Sequence, residues 1–535
     1  MIGKAGSTKP KIATFITKHS IPVLLDRARS PVLDGALFDF VNRTRGAAGW
    51  PLNVFLTPAG APLVGTVYLP PAQFMTWLQR LQGRWDKAAS ELEQVARRAN
   101  RAAAAPGARA SLPAEKLAPR LRQALLTTAL GRADELAGGF DEQAKFPSAP
   151  QLDALLGLYE TQHDRRLGAF LRLTLDQMAG EGLRDHLGGG FFRYTADPAW
   201  QEPCFEKMLF VNAQLASLYL KAARVFDEAR YRRVGLETVD FLLRELSHPD
   251  GGFIAGLAGG GGGYYLWDQN TLQSLLDEKS YQLADAVWGL GGEPSSWSAG
   301  HLPVPQVPIA VVAGVLGTDV VAAQTELEGM RQRLLAARTK RDLTRDKLRI
   351  AGWNGLALSA LAAAVEVSPK PRYRQAGEHL RDYLTGVLWH EGSLARVRDG
   401  QGRVVAEGTL EDYAYTARGL ADWAVASGVG DGAAATIVAA ALRRFHTAGG
   451  WQPAGDTGLI VPAHALLPDG ATPSASAVLA AVSLRVTRAD GQEAPPEPPV
   501  PSTVLDQPLR FASYLSVLDE AAQSTPVSGP RKPRP

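Results

Sequence analysis

The apolar pattern predicts a mainly α-helical chain with a small α/β part at its start. Two observations carry this. Between residues 113 and 521, amphipathic stretches of roughly 12–18 residues recur, separated by loops rich in glycine and aromatic residues. Before residue 85, helix-like runs alternate with short β-rich runs on either side of Pro58-Ala59-Gly60-Ala61.

Residues 1–84 read as a helix over 12–18, a strand over 21–26, a helix over 33–43, a hairpin of strands 52–57 and 62–68, and a closing helix over 71–84. That order is most of a thioredoxin fold, without its first strand and the helix after it. Trp50-Pro51 stands where thioredoxins hold a cis-proline, so Pro51 is expected to be a structural cis-proline. Residues 85–113 are rich in Ala and Arg and predict a helical linker, with a helix over 91–104 and a breaker at Pro106-Gly107.

Residues 114–521 predict helices near 115–130, 150–163, 166–179, 207–225, 230–246, 269–277, 280–288, 319–337, 352–366, 373–387, 411–427, 432–446, 473–486 and 508–521. Residues 252–256 and 263–267 look like a β-hairpin inside a helix–helix connection. A long series of helices without a fixed short repeat argues against an open solenoid. The size-matched architecture is an (α/α)6 toroid of stacked helical hairpins. Three loops share a glycine–aromatic signature, Gly138-Gly139-Phe140, Gly251-Gly252-Phe253 and Gly449-Gly450-Trp451, as connections gathered at one end of a toroid would. Residues 491–503 are proline-rich and read as an extended loop, and residues 522–535 as a disordered tail.

The composition narrows function. A formal charge of +3 over 535 residues does not describe a polycation, so no nucleic-acid partner is expected. No apolar run is long enough to span a bilayer, so no membrane association is expected. The first residues are basic without an apolar core, which predicts no secretory signal and a cytoplasmic location. A single cysteine excludes an intramolecular disulfide, a Cys-based zinc site and a Cys-x-x-Cys pair. No metal and no cofactor are expected.

Residues 185–212 (DHLGGGFFRYTADPAWQEPCFEKMLFVN) gather three consecutive glycines, aromatic rings, an Arg, a His and the only cysteine in one non-periodic segment. Such a segment fits neither an amphipathic helix nor an alternating strand, and predicts a structured loop that lines something.

Six stretches occur in order: GWPLNVFLTPAGAPL, GGFDEQAKFPSAPQL, DHLGGGFFRYTADPAW, PCFEKMLF, DKLRIAGWNGLALSALA and EDYAY. Together they resemble the thioredoxin-domain-containing family typified by spermatogenesis-associated protein 20, over about residues 12–485. The resemblance implies a thioredoxin-like domain followed by a six-hairpin toroid similar to those of N-acylglucosamine 2-epimerases and several glycosidases. This chain departs from the family pattern. A Cys-His-Trp-Cys-His motif precedes the family's counterpart of residues 12–18, and here the chain begins after it. Residues 1–84 are therefore expected to lack dithiol exchange, which would return if the true N-terminus lay upstream. The family's Pro-His-Phe-Glu-Lys-Met-Leu-Tyr-Asp-Asn becomes the run from Pro203 to Asn212, with Cys204, Phe210 and Val211 replacing the His, Tyr and Asp. Phe192 replaces a further His, residues 257–262 lack an acidic cluster, and Pro473-Ser474-Ala475-Ser476 lacks an amide.

Epimerisation at a sugar carbon needs a base and an acid on opposite faces, and glycoside hydrolysis two carboxylates about 5–9.5 Å apart. The catalytic candidates within the matched motifs are His186, Glu206 and Asp412. The ligand-binding candidates are Asp185, Arg193, Tyr194, Trp200, Cys204, Lys207, Trp353, Asn354 and Tyr413. Rings stack on sugar faces while carboxylates, amides and Arg fix hydroxyls. Each of four candidates also has a plain reading: His186 as a loop-backbone partner, Glu206 and Asp412 as first-turn charges, Cys204 as a small buried apolar residue. Acid–base groups contribute roughly 10²–10⁴-fold each, so their loss weakens catalysis more than binding. The expectation is a catalytically diminished protein whose toroid binds a sugar-like small polar ligand or a protein partner. The alternative is an active carbohydrate isomerase, epimerase or glycosidase.

Overall fold

The computed structural model describes residues 10–46, 48–104, 113–141, 143–292, 297–430, 432–455, 464, 466–489 and 500–524. The expected breaker at Pro106-Gly107, most of the proline-rich loop and the tail from residue 525 lie outside the described residues. The chain divides into two units, Met1–Ala108 with Leu442–Ala465, and Arg109–Ala441 with Leu466–Pro535.

In the first unit, α1 (Pro10–His19) and α2 (Pro31–Arg45) precede strands β1 (Asn53–Leu56) and β2 (Pro62–Thr66), which pair antiparallel as expected. The long α3 (Pro71–Ala104) follows and loses helical geometry at Ala88, between the two helices that the sequence predicts there. Ile12, Phe74 and Leu78 form the small core, packed around by Phe15, Phe55 and Trp77. The Trp50–Pro51 bond is cis. Trp50 stacks on Phe38 at 4.6 Å, with the Arg27 guanidinium 4.0 Å above its ring. The strand expected over 21–26 does not form. Its apolar residues, Ile21, Val23 and Leu24, are 91%, 81% and 92% exposed, and no described strand lies alongside to accept its hydrogen bonds. The glycine–aromatic loop at Gly449-Gly450-Trp451 closes a small hairpin in this unit, with Gly450 at φ 110°.

The second unit is helical. Its elements are α4 (Ala114–Arg132), α5 (Ala149–Gln162), α6 (Arg165–Gly180), α7 (Leu209–Phe226), α8 (Ala229–Phe241), α9 (Gln269–Leu275), α10 (Glu278–Trp288), α11 (Ile309–Val315), α12 (Val320–Arg338), α13 (Ala351–Val367), α14 (Pro371–Tyr383), α15 (Leu410–Ser427), α16 (Ala433–Phe445), α17 (Ala475–Ala489) and α18 (Tyr514–Ser524). Among the described residues, α5, α7, α13, α15, α17 and α18 are joined side by side into a ring. Ion pairs Asp153–Lys221 and Glu160–Arg224 join α5 to α7. The Phe210 and Trp353 rings, 4.8 Å apart, join α7 to α13. Ser359 donates to Asp422 between α13 and α15, and Arg485 of α17 reaches the same carboxylate. Ser476 and Tyr514 bond between α17 and α18. Gln151 of α5, donating to the Leu509 carbonyl at 3.1 Å just before α18, closes the circle. This is an (α/α)6-type toroid.

α13 is buried along most of its length because it is apolar on nearly every side, and a helix without a polar face must be buried. Gly355 and Gly419 let α13 and α15 cross closely: a Cβ at either would meet opposing backbone oxygen at 2.4 or 2.3 Å. The β-hairpin expected over 252–256 and 263–267 does not form. Strand β4 (Gly256–Ala258) is instead sandwiched between β3 (Glu206–Met208) and β5 (Thr344–Asp346), so both its edges are occupied by distant segments. Trp267 bridges His301, and Gly260 and Gly262 turn the chain between with φ of 56° and 92°. Among the described residues, no single helix is long and apolar enough to cross a membrane.

Candidate functional site

Three loops at helix starts of the toroid are built on one plan. Gly138-Gly139-Phe140, Gly189-Gly190-Phe191 and Gly251-Gly252-Phe253 each place two successive glycines at φ between 71° and 93°, a region that side chains rarely enter. The backbone so exposed is held by a side chain from a following helix. Thr174 accepts from Gly139 N at 2.9 Å. Asn212 accepts from Phe191 N at 2.6 Å and donates to Phe191 O at 3.0 Å. Asn354 repeats this on Phe253 at 2.7 and 3.1 Å. Asn354, expected to bind ligand, is thus a buried loop clamp with its amide filled.

Two of the loops share a further device. Asp134 and Asp185 each stand six residues before the loop phenylalanine and accept from two backbone N–H groups. Each also receives a buried lysine, Lys145 at 2.7 Å and Lys207 at 2.6 Å. The two stretches, DELAGGF and DHLGGGF, carry this repeat openly in the sequence. Asp185 and Lys207, expected at the ligand site, therefore belong to the loop scaffold.

Asp185 has one partner more. Arg338, from the end of α12, donates to both its oxygens, at 2.9 and 2.8 Å. Burial alone would raise the Asp185 carboxyl, but Arg338 and Lys207 hold it far below the usual range. Burial brings Lys207 down to about 8. The second cation is offset by aromatic faces: Lys207 Nζ lies 4.7 Å from the Phe241 ring and 5.2 Å from those of Phe192 and Tyr265. Gly188 is required here, since a Cβ would fall 1.9 Å from an Arg338 nitrogen.

Asp412 is fully buried and also filled. Its oxygens accept from Gly352 N at 3.0 Å, Thr409 N at 2.9 Å, Thr409 Oγ1 at 2.8 Å and Arg396 Nη1 at 2.7 Å. It is half of a capping box that also pins the start of α13, and its complete burial keeps it from reaching a substrate. Tyr413 accepts from Leu394 N at 2.9 Å, and the buried Trp200 donates to Ala137 O at 2.8 Å. His186 donates from Nε2 to the Glu181 carbonyl at 3.0 Å; burial and then Arg184 lower it to about 4, so the ring is neutral at neutral pH.

The remaining candidates are half-buried beside one another. Arg193 and Glu206 pair at 2.9 Å, and Tyr194 stacks on Phe146 at 4.9 Å. Burial and then Glu206 push the Cys204 thiol upward, the opposite of an activated nucleophile. Trp353, by contrast, is buried and packs on Phe210.

A cavity of about 240 Å³ lies along the toroid axis, walled by α5, α7, α13, α15, α17 and α18. Asp153, Lys221, Arg418, Asp422, Arg485, Asp519 and Glu520 give it its charge, Ser359 adds a hydroxyl, and among the described residues no aromatic ring lines it. None of the sequence-predicted candidates lines it. It shares Gly157, Leu515 and Asp519 with a second hollow between α5 and α18, toward the C-terminal ends of the ring helices. Lys221 Nζ meets Asp153 Oδ1 at 2.8 Å. Asp422 accepts from Ser359 Oγ at 2.6 Å and lies 2.8 Å from Arg485 Nη2 and 3.6 Å from Arg418 Nε. Burial would raise Asp153, but Lys221 and then Arg418 draw it below the usual carboxylate value.

A family model described as "Protein of unknown function, DUF255", of the thioredoxin-like DsbH type, matches residues 3–104. Spermatogenesis-associated protein 20 of Homo sapiens is 31% identical over 473 residues, which cover 77% of this chain and 59% of that protein. Its Mus musculus counterpart is 30% identical over 470 residues, 77% of this chain and 58% of that protein. The chain belongs to the spermatogenesis-associated protein 20 family. It spans about three fifths of the length of these relatives. Among solved structures, cellobiose 2-epimerase from Spirochaeta thermophila is similar at a TM-score of 0.46 and 13% identity, covering 76% of this chain and 83% of that one. That likeness is too loose to transfer residues or chemistry.

For this family member, the motif residues that drew attention in the sequence hold the loops, and the cavity residues went unnoticed. Asp153, Lys221, Ser359, Asp422 and Arg485 come singly from five helices, four of them placed like ordinary polar residues of an amphipathic helix and Ser359 from the apolar α13. No short motif joins them.

Proposed function

We propose that the toroid is a binding module for a small, polar, sugar-like molecule, held in the axial cavity, and that it does not isomerise or hydrolyse sugars. The cavity carries this reading. At about 240 Å³ it lies just below the ~300–1,000 Å³ of typical ligand pockets, a size suited to one monosaccharide-like molecule and not to a chain of sugars. Its side chains offer donors and acceptors for hydroxyl groups. The absence of lining aromatic rings favours recognition through hydrogen bonds and charge over ring stacking.

Binding is favoured over catalysis because proton transfer needs a group that titrates near the working pH. The four carboxylates that line the cavity, Asp153, Asp422, Asp519 and Glu520, are all ion-paired, and among the described residues no histidine lines it. His186 and Asp412 stand outside it with their polar atoms occupied. The experiment is incubation with monosaccharides in deuterated water, alongside calorimetric titration. Binding without deuterium entering carbon 2 is expected; incorporation at carbon 2 would establish an epimerase or isomerase.

A further inference from the structure

The charges of the axial cavity do not balance. Its lining carries three cations, Lys221, Arg418 and Arg485, and four carboxylates, Asp153, Asp422, Asp519 and Glu520. Asp519 and Glu520 are already paired by Arg122 and Arg488 from outside that lining, which leaves the three cations facing Asp153 and Asp422. Lys221 is satisfied by Asp153, with its carboxylate at 2.8 Å and its carbonyl at 2.9 Å. Arg485 and Arg418 both face the carboxylate of Asp422, and among the described residues Arg418 is otherwise near only Asp153, which Lys221 already pairs. The Asp422 carboxylate is already taken on Oδ2 by Ser359 and on Oδ1 by Arg485. Arg418 reaches it only at 3.6 Å, too far for a hydrogen bond. The Nε and Nη2 of Arg485 are buried and neither makes a hydrogen bond among the described residues, the contact with Asp422 being an ion pair.

Two guanidiniums on one carboxylate leave one positive charge and several N–H donors unfilled in a space walled by helices. A buried donor without a partner is unfavourable, more so when it is charged. Guanidinium forks match the paired oxygens of carboxylate or phosphate. The same wall supplies Ser359, Gln214 and Ser217 toward neutral hydroxyls.

We infer that the cavity recognises an anionic polyhydroxylated molecule, with Arg418 and Arg485 as the clamp for its carboxylate or phosphate group. This rests on the cavity being the ligand site, and it names the ligand's charge. The Asp422 carboxylate is the orienting group: it holds Arg485 by one edge and leaves Nε free for the ligand.

The test is calorimetric titration of the full chain with D-glucuronate, D-glucose 6-phosphate, inorganic phosphate and D-glucose. At least one of the sugar anions is expected to bind about ten-fold or more tightly than D-glucose. Glucuronate against the sugar phosphate tells carboxylate from phosphate, and inorganic phosphate tells whether the sugar contributes. Arg485→Gln and Arg418→Gln should each weaken the anion by roughly ten- to hundred-fold, while Arg485→Lys, which keeps the charge, should retain part of the affinity. Unchanged melting temperatures would show that the variants fold, and should Arg485→Gln fail to fold, Arg418→Gln carries the test. D-glucose binding as tightly as the anions, with both Gln variants unaffected, would overturn the anionic clamp and leave the cavity reading standing. Failure of all four probes to bind would overturn both.

Discussion

Asp185 accepts both terminal guanidinium nitrogens of Arg338, a residue 153 positions further along the chain, while Lys207 donates to the same carboxylate at 2.6 Å. One buried anion thus ties the start of the loop over 185–212, the strand before α7 and the end of α12.

Removing that anion would strand two buried cations. Asp185→Ala should cost about 3–5 kcal/mol of stability, the range found when one partner of a buried pair is deleted. Lys207→Met leaves the Asp185–Arg338 pair matched and should cost less. Urea unfolding followed by tryptophan fluorescence checks the order. A larger loss for Lys207→Met would contradict the assignment of Asp185 as the hub.

His186 should shape the acid limb of stability. Its pKa is lowered from 6.5 to about 4 in the folded chain by burial and Arg184. Between those values the unfolded chain binds the proton and the folded chain does not, so this contribution is lost as pH falls from 6.5 toward 4. His186→Gln keeps a donor for Glu181 O and removes the titration. The stability gap between wild type and variant should therefore narrow as pH drops through that window, measured by denaturation midpoints. A constant gap would show that His186 does not titrate there.

The two asparagine clamps predict matched losses. Asn212→Ala and Asn354→Ala each leave a loop N–H and carbonyl without their partner, which costs about 1–3 kcal/mol. Calorimetric melting checks this. A neutral Asn354→Ala would return that amide to consideration as a ligand group.

Cys204 should behave as a poor nucleophile. Burial and the neighbouring Glu206 both oppose its thiolate. Reaction with a thiol-disulfide reagent at neutral pH is expected to run slower than with a free small thiol, and to quicken in Glu206→Gln. Rapid stoichiometric labelling of the native protein would place it among reactive cysteines.

Much of the fold was legible because long amphipathic helices announce themselves at a period of 3.6. α13 was legible even without a polar face, by its length and alanine content. α11 was not: its seven residues, IAVVAGV, have no polar side to mark a helix. The strand over 21–26 and the hairpin over 252–267 misled for one reason. β-like residues reveal a readiness to pair, and the partner decides. The first had none among the described strands; the second found its partners at 206–208 and 344–346. At the site, the conspicuous residues were conspicuous for architecture. Gly188, Asp185, Lys207, Asn354 and Asp412 need their identities because each fills a tight, polar, buried position. The cavity lay hidden because its charges are spread over five helices that sequence order does not bring together.

The central claim is that the axial cavity holds the ligand. Ala481, on the cavity wall in α17, is half-buried and far from the loops that carry the motif residues in sequence. Titration of D-glucuronate and D-glucose 6-phosphate into wild type and Ala481→Phe, both checked for intact melting, tests it most directly. The wild type should bind and the filled cavity should not. Equal binding by the two proteins would place the ligand elsewhere and contradict the account.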